Sequence, residues 1–163
     1  MMYRLLRPAL FKIPPEAVHR LAMHSLHAAT PLLPLLKPWL GVSETKHART
    51  VLGMDFQHPL GLAAGFDKYA VCVDAWQHLG FSHVEVGTIT RHAQPGNPKP
   101  RVFRYPGQQA VINRFGFNNL GADETAERLK ELRAVGRWPS IPVGINLGKS
   151  KVTPVEAAEE DYA

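Results

Sequence analysis

The sequence predicts an α/β fold built on a parallel sheet. After residue 57, strand-like and helix-like segments follow one another in the order strand, helix, strand, loop, helix, strand, helix. Chains with this alternation form parallel sheets with helical crossovers. Unusual small and polar residues follow each predicted strand, at the sheet edge where doubly wound folds and β/α barrels both place their active sites. The spacing alone leaves these two architectures open.

Composition and charge exclude several classes of protein. Of the 163 residues, 45% are hydrophobic and 20% are charged, which excludes a disordered or collagen-like chain. The single cysteine, Cys72, allows no internal disulfide, and no apolar run reaches the roughly 18 residues that span a bilayer. Residues 1–50 carry the whole net charge of +5, without the basic and aromatic mixture typical of nucleic-acid binding.

This basic excess lies mainly in an amino-terminal segment, residues 1–45, that is predicted to be helical. Pro14 and Pro15 favour a helix start, and the helix over residues 14–30 has an apolar stripe. The stripe consists of Val18, Leu21, Ala22, Leu26 and Ala29. Three prolines limit residues 31–41 to short helical turns. These turns are expected to present Leu32, Leu33, Leu35, Leu36, Trp39 and Leu40.

Two interpretations of the amino-terminal segment remain open from its residues alone. It is either a pair of helices packed on the main domain or an apolar appendage with a basic rim that lies on an anionic membrane surface. The first is the usual outcome for an amphipathic helix. Several leucines and Trp39 within ten residues are an argument for the second, because so short a segment has difficulty in burying them. Prolines interrupt the apolar run, so a secretory signal is not expected.

The first elements of the main domain are predicted between residues 58 and 89. Residues 58–65, HPLGLAAG, predict a buried strand that ends in a tight turn. Residues 71–79 predict a two-turn helix, which Gly80 ends. Residues 83–89, HVEVGTI, alternate and are rich in β-branched residues, so they predict a second strand.

Later elements follow a long segment of turn signals over residues 90–120. Residues 123–135 predict the clearest helix, since acidic residues occupy its first turn and apolar residues recur along one face. That face is expected to comprise Ala126, Leu129 and Leu132. Residues 141–147 predict a third buried strand, and Pro154 favours the start of a third helix.

Two segments combine small and polar residues in patterns suited to a planar ligand. Residues 61–68, GLAAGFDK, allow a flat ring to approach the backbone beside a cation; the alternative is a tight turn with Lys68 in solvent. Residues 113–119, NRFGFNN, offer amide groups for a small planar anion; the alternative is a helix cap at Asn118 or Asn119.

A third segment and the remaining reactive residues carry weaker signals. Asn146 ends the third predicted strand, where it either hydrogen-bonds a cofactor or precedes a glycine turn. His24 and His27 lie only three residues apart with no third ligand in register, so no metal site is expected. Cys72 is expected to be a small packed residue. A nucleophile elbow is absent from the sequence, which argues against a Ser-His-Asp triad.

Several motifs, in this order, resemble dihydroorotate dehydrogenase. They are GLAAGFDK, EVGTIT, QPGNPKPRVFR, INRFGFNN and GINLGKSKVTP, followed by the start of an acidic helix. The resemblance covers nearly all of the chain. The amino-terminal helical extension is similar to that of the class 2, membrane-associated, quinone-linked form, and soluble class 1 enzymes lack it.

The resemblance implies a (β/α)8 TIM barrel with FMN at the carboxyl ends of its strands. Residues 46–163 would supply about the first three β/α units, and residues 1–45 would line an apolar tunnel for ubiquinone or menaquinone. The implied reaction is oxidation of (S)-dihydroorotate to orotate in de novo pyrimidine biosynthesis. We expect a monomer bound peripherally at the cytoplasmic face of a bacterial inner membrane.

The resemblance also implies two sets of site residues. FMN would be contacted by Ala63, Ala64, Gly65, Lys68, Thr88 and Asn146. The substrate would be contacted by Lys68, Asn113, Arg114, Phe115, Gly116 and Phe117.

One departure from the family pattern concerns the catalytic base. The family's serine lies in an Asn-x-Ser-Ser-Pro-Asn-Thr loop, which the resemblance places beyond residue 163, and Ser82, Ser140 and Ser150 stand in the wrong context. We therefore expect an amino-terminal part of the enzyme that is inactive alone. The alternatives are a class 1 or dihydropyrimidine-type relative linked to fumarate or NAD, and a non-enzymatic flavin- or membrane-binding module.

Overall fold

The structure, a computed structural model, describes residues 2–40 and 47–163. Three α-helices come first, with a short 3-10 helix, Thr30–Leu32, between the second and the third. Their bounds are α1 Met2–Leu10, α2 Pro15–Ala29 and α3 Leu33–Leu40. The predicted helix over 14–30 is confirmed, as are the short helical elements after it. The expected boundary between residues 45 and 46 lies outside the described residues, and so does the side chain of Leu40.

A three-stranded parallel sheet forms the centre of the main domain. Its strands are β3 Gly61–Leu62, β4 His83–Ile89 and β7 Val143–Leu147, and their spatial order is β3-β4-β7. Helix α4, Ala122–Ala134, lies in the crossover between β4 and β7. The chain then forms a 3-10 helix, Val155–Ala157, and α5, Ala158–Tyr162. The predicted parallel sheet with helical crossovers is therefore confirmed.

Two antiparallel hairpins flank the sheet, and the sequence patterns predicted neither. The first pairs β1 Arg49–Val51 with β2 Met54–Phe56, and the second pairs β5 Val102–Tyr105 with β6 Ala110–Asn113. The second hairpin lies within residues 90–120, where turn signals predicted only loop. Its strands have four residues each, so the glycines and prolines around them outweigh the short apolar alternation.

Two predicted elements are shorter or more open than expected. Only residues Trp76–Leu79 of the predicted 71–79 helix are helical, in a 3-10 helix that Gly80 ends with φ at +86°. The backbone before them is held irregular because the Asp67 carboxylate accepts hydrogen bonds from Val71 N and Cys72 N. Only Gly61–Leu62 of the 58–65 run pairs as strand, and β7 is a partly exposed edge strand rather than a buried one.

The hydrophobic core lies between the sheet and the helices. It is formed by buried residues of β4, of the segment after Asp67, of the helices and of the chain just before β7, namely Val84, Val86, Ile89, Ala70, Cys72, Val73, Ala75, Trp76, Met23, Leu33, Leu129 and Ile141. The buried faces of α4 and α2 are rotated relative to the apolar faces expected from the sequence. On α4, Thr125 and Leu129 are buried while Ala126 is exposed, and on α2, Met23 is buried while Leu21 is exposed. Among the described residues, no helix is long and apolar enough to cross a bilayer.

Candidate functional site

A cavity of about 860 Å³ opens at the carboxyl ends of β3, β4 and β7. Parallel strands place their carboxyl ends at one edge of a sheet, and for this reason segments distant in sequence meet here. The lining residues are Leu62, Ala63, Ala64, Gly65, Phe66, Lys68, Thr88, Asn113, Arg114, Phe115, Gly116, Phe117 and Asn146. All eleven residues that the resemblance assigned to FMN or substrate are among them; Leu62 and Phe66 are additional.

The floor of the cavity is the turn after β3. Gly65 has φ at +96°, and its N–H donates to Gly87 O over 2.7 Å, which ties the turn to the neighbouring strand. No atom of the described residues lies within 4 Å of a Cβ built on Gly65, so a side chain there would take up space beside the cavity lining. The backbone at this turn is therefore open to close approach by a flat group.

Asp67 fixes the turn from below. Its carboxylate is 1% exposed and accepts from Val71 N, Cys72 N and Trp76 Nε1 at 2.8, 2.9 and 3.1 Å. In the sequence, Asp67 stands out only as part of the GLAAGFDK segment after a strand, and this pattern does not predict its anchoring role. Trp76 nine residues later was the available signal, because a buried indole N–H needs an acceptor.

Lys68 supplies a half-buried positive charge at the cavity wall. Its Nζ lies 3.2 Å from the centroid of the Phe115 ring, a cation–π contact. Burial lowers the pKa of Lys68 to about 8, with a further lowering by the Arg101 charge and an opposing contribution from Glu16. The alternative of a lysine free in solvent is therefore wrong.

Polar side chains from β4 and β7 meet on the cavity side of the sheet. The Thr88 hydroxyl donates to Asn146 Oδ1 over 2.5 Å, and Asn146 Nδ2 donates to Glu85 Oε1 over 3.0 Å. Asn146 is thus more than the end of a strand, because both ends of its amide are engaged. Glu85 was not singled out from the sequence, although a carboxylate within an otherwise apolar strand was a visible signal.

The loop over residues 113–117 forms the opposite wall. Asn97 holds it, since Asn97 N donates to Phe115 O over 2.9 Å and Asn97 Nδ2 donates to Arg114 O over 2.8 Å. A Cβ on Gly116, whose φ is +71°, would lie 2.9 Å from Asn97. A glycine is therefore required for the loop to pack this closely.

Asn118 and Asn119 are buried and do not cap a helix. Gly121 is the N-cap residue of α4, and Asn119 Oδ1 accepts from Gly121 N and Thr90 N at 2.8 and 3.2 Å. Asn118 Nδ2 donates to the Tyr69 hydroxyl. Both asparagines support the loop from behind, and the helix-cap alternative is wrong.

A buried ion pair connects the cavity wall to α2. Arg101 is 6% exposed and binds both carboxylate oxygens of Glu16, at 2.7 and 3.2 Å. It also donates to Pro95 O over 2.7 Å and lies 5.3 Å from the Phe115 centroid. The hydrogen bond from Arg101, outweighing the effect of burial, lowers the pKa of Glu16. No local sequence pattern predicted this pair, because its members are 85 residues apart in the chain.

A second cavity, of about 510 Å³, lies between helices α1 and α2 and the β5–β6 hairpin. Arg7 and Arg104 both stack on Phe11, at 4.8 and 4.7 Å from its ring centroid. Arg104 Nη1 also donates to Leu10 O and Ile13 O, at 3.2 and 3.1 Å. The amino-terminal helices therefore enclose an apolar space with a basic wall.

The described residues contain no group of three or more His, Cys, Asp or Glu side chains that could hold a metal ion. His24 and His27 use Nδ1 for separate bonds, to Arg20 O and to Val71 O. Cys72 is buried, and burial raises the pKa of its thiol to about 12, so it is protonated at neutral pH.

Comparison with known proteins gives a consistent family assignment. The family model described as dihydroorotate dehydrogenase matches residues 47–163. Curated proteins named dihydroorotate dehydrogenase (quinone) from Gloeobacter violaceus and Mycobacterium marinum are 54% and 50% identical over 99% of this chain. The chain spans 45% and 44% of the length of these two relatives.

Solved structures agree with the sequence comparisons. A crystal structure of DHODH from Eimeria tenella in complex with ferulenol superposes with a TM-score of 0.70 at 36% identity, covering 91% of this chain and 39% of that one. The ligand-free form from the same organism gives a TM-score of 0.65 at 36% identity, covering 82% of this chain and 40% of that one.

Proposed function

The chain belongs to the dihydroorotate dehydrogenase family, and we propose that it forms the amino-terminal part of a quinone-linked member. In this proposal residues 46–163 contribute the first three β/α units of a TIM barrel, and residues 1–45 form a segment that associates with the membrane and admits quinone. The reaction of the whole protein is oxidation of (S)-dihydroorotate to orotate. The name shared by the two curated relatives, with quinone as the acceptor, favours this reaction over the fumarate- or NAD-linked alternative.

The residues of the larger cavity fit FMN. The open backbone at Gly65 accommodates a flat ring, and Ala63 and Ala64 beside it have only small side chains. Thr88 and Asn146 add hydrogen-bonding groups at the same edge. When bound, FMN would accept from dihydroorotate a hydride, which carries both electrons of the oxidation, and would pass two electrons on to the quinone.

The opposite wall fits a planar anion. Orotate and dihydroorotate carry a carboxylate, and Lys68 provides a fixed cation inside the cavity. The 113–117 loop adds the amide of Asn113 and backbone N–H groups around Gly116, which suit the polar edge of a pyrimidine. We propose that Lys68 neutralises the substrate carboxylate while the loop orients the ring. This assignment rests chiefly on one observation, that Lys68 and the loop face the same cavity.

The amino-terminal helices have features suited to a quinone acceptor and a membrane surface. The cavity beside Phe11 is apolar with two arginines. Leu32 of the preceding 3-10 helix and Leu35, Leu36 and Trp39 of α3 are exposed. Exposed apolar residues on a basic segment bind anionic membrane surfaces. We propose that α3 lies on the cytoplasmic face of a bacterial inner membrane, that ubiquinone or menaquinone enters between α1 and α2, and that the protein acts as a monomer.

The experiment joins this chain to the remaining carboxyl-terminal part of the Gloeobacter violaceus relative, a protein called the completed barrel below. We expect it to co-purify with FMN and to reduce a soluble quinone when dihydroorotate is added. The 163-residue chain alone should show neither stoichiometric FMN nor turnover. If the fusion does not fold, co-expression of the two parts as separate chains gives the same test.

Lys68→Ala tests the assigned site within the completed barrel. We expect kcat/KM for dihydroorotate to fall about 100-fold, as for removal of one preorganised electrostatic contact. Lys130→Ala, which removes an exposed lysine of α4, is the matched control and should change nothing. A folded, FMN-loaded completed barrel without dihydroorotate oxidation, or equal activity in the two variants, would contradict the proposal.

A further inference from the structure

Glu85 occupies an unusual place in the central strand. It lies within β4, between Val84 and Val86, both of which are fully buried in the hydrophobic core. Successive residues of a strand point to opposite faces, so Glu85 points to the cavity side of the sheet. Its neighbour in the parallel register is Gly144 on β7. A Cβ on Gly144 would lie 3.5 Å from Glu85 Cγ, and the small residue there leaves the carboxylate free to lean along β7.

The carboxylate determines the orientation of Asn146. Glu85 Oε1 lies 3.0 Å from Asn146 Nδ2, and an ionised carboxylate can only accept hydrogen bonds. The amide nitrogen must therefore face Glu85, and the amide oxygen must face the other way. That oxygen accepts from the Thr88 hydroxyl over 2.5 Å. An inverted amide would direct its oxygen at the carboxylate, so the chemistry permits one arrangement.

The orientation of Asn146 in turn determines what Thr88 offers to the cavity. A hydroxyl has one proton, and Thr88 uses it on Asn146, so Thr88 Oγ1 has only lone pairs left for a ligand. Asn146 Nδ2 has a second hydrogen that Glu85 does not use. Both residues line the larger cavity. The strand ends therefore present one hydrogen-bond acceptor beside one donor.

We propose that Glu85 is a positioning residue that acts through Asn146 and Thr88 to fix this acceptor–donor pair at the cofactor side of the cavity. Glu85 is not among the residues that line the larger cavity but lines a smaller one beneath it, of about 220 Å³. It therefore acts on a ligand only through the two side chains above it. The cofactor recognised this way is a planar ring with a donor next to an acceptor, as in FMN. The proposal rests on the proposed function.

The test uses Glu85→Gln in the completed barrel, with FMN binding to the apoprotein and the absorption bands of bound flavin as readouts. A glutamine amide both donates and accepts, so Asn146 loses its unique orientation. We expect the dissociation constant for FMN to rise about tenfold, as for loss of one hydrogen bond to a charged group, with shifted flavin bands. Glu127→Gln, an exposed glutamate of α4, is the matched control and should alter neither.

A double-mutant cycle separates positioning from simple stability. If Glu85 acts through Asn146, then Glu85→Gln should weaken FMN binding less than about twofold in an Asn146→Ala background, because the amide that it orients is gone. Additive effects of the two substitutions, or unchanged FMN affinity and bands in Glu85→Gln, would overturn the proposal.

Two further outcomes are also decisive. Glu85→Met keeps the side-chain length without a competing amide and replaces Glu85→Gln if that variant does not fold. Loss of the fold in both would assign Glu85 to barrel stability and overturn the proposal. A folded completed barrel that binds no FMN at all would contradict the proposed function itself. Normal FMN binding that Glu85→Gln leaves unchanged would contradict only this inference.

Discussion

Helices α2 and α3 are consecutive in the chain but face different surroundings. Helix α2 is held by specific contacts: Glu16 pairs with Arg101, His27 Nδ1 donates to Val71 O, and the Cys72 thiol donates to Met23 O. Helix α3 buries Leu33 and exposes most of its other described apolar side chains, including Trp39, which is 79% exposed. Both helices pack on the main domain, α2 through these polar contacts and α3 against the 3-10 helix Trp76–Leu79. Only α3 keeps a large exposed apolar side, which is the side that the proposed function assigns to the membrane.

The contacts of α2 also reach the candidate site. Arg101 joins Glu16 of α2 to Pro95 O and lies against the Phe115 ring, on which Lys68 also stacks. The proposed acceptor and substrate sides thus share one buried arginine. Substitutions in either helix, or at its contacts, therefore test this connection.

Replacement of Arg101 should be the most disruptive change. Arg101→Met removes the donor to Glu16 and to the Pro95 carbonyl and leaves Glu16 only the longer contact with Lys99, at 3.6 Å. Because Arg101 is buried and Glu16 is part-buried, we expect a cost of about 3 kcal/mol, the lower end for a buried pair. Urea denaturation of the completed barrel measures the loss. Arg20→Met, an exposed arginine of α2, is the control and should leave the midpoint unchanged. A cost below about 1 kcal/mol for Arg101→Met would mean that α2 is not held by this pair.

Within α3, Leu33 and Leu36 should respond differently to the same substitution. Leu33 is 4% exposed, so Leu33→Ala creates a cavity and should cost about 2–3 kcal/mol. Leu36 is 43% exposed, so Leu36→Ala should lower the free energy of unfolding by less than about 1 kcal/mol. Thermal or urea unfolding of the two variants checks the difference. Equal losses would contradict the division of α3 into a docked and an exposed side.

The exposed side of α3 should control membrane binding. Trp39→Glu places a charge where the proposal buries an indole, so affinity for vesicles of anionic phospholipid should fall about tenfold or more while the unfolding midpoint stays constant. Co-sedimentation with vesicles measures the affinity. Val135→Glu changes another exposed apolar residue, 66% exposed and directly after α4, and is the control. Equal binding by both variants would mean that α3 does not contact the membrane.

Local sequence patterns predicted the strands of the parallel sheet and marked three segments of the site, because these features depend on neighbours in the chain. The individual FMN and substrate residues came from the family resemblance. GLAAGFDK and Asn146 follow strands, and parallel topology alone brings the ends of such strands together. Local patterns failed where a contact with a residue distant in sequence determines the structure. The 71–79 helix was overestimated because Asp67 captures two backbone N–H groups, and the docked face of α2 was misplaced because Met23 meets Cys72. No local pattern connects Glu16 to Arg101.

For Leu33, too, the local sequence pattern did not specify which side chain would be buried. Its neighbours in the apolar run are chemically alike, so composition predicted that all would be presented together. The rotation of α3 against the core buries Leu33 and leaves Leu35 and Leu36 outside. That rotation depends on the packing of a whole helix, which a count of apolar residues cannot specify.

The smallest expected effect is the pH dependence of the α2 contact. The pKa of Glu16 in the folded protein is lowered below its usual 4.5, first by the hydrogen bond from Arg101. A group with a lowered folded pKa contributes stability that is fully present above the unfolded pKa and is lost as pH falls through the folded pKa. The difference in unfolding free energy between the completed barrel and its Glu16→Gln variant should therefore be constant above about pH 5 and shrink below pH 4.5.

Urea denaturation between about pH 3 and pH 7 measures this difference. Glu124→Gln is the matched control, because Glu124 forms an exposed pair with Arg128 on α4, and exposed pairs contribute little to stability. A Glu16→Gln difference that stays flat through acid pH would mean that the carboxylate is not selectively stabilised in the folded state. Helix α2 would then be held by the burial of Met23 and by the hydrogen bonds from His27 to Val71 O and from Cys72 to Met23 O, without a contribution from the ion pair.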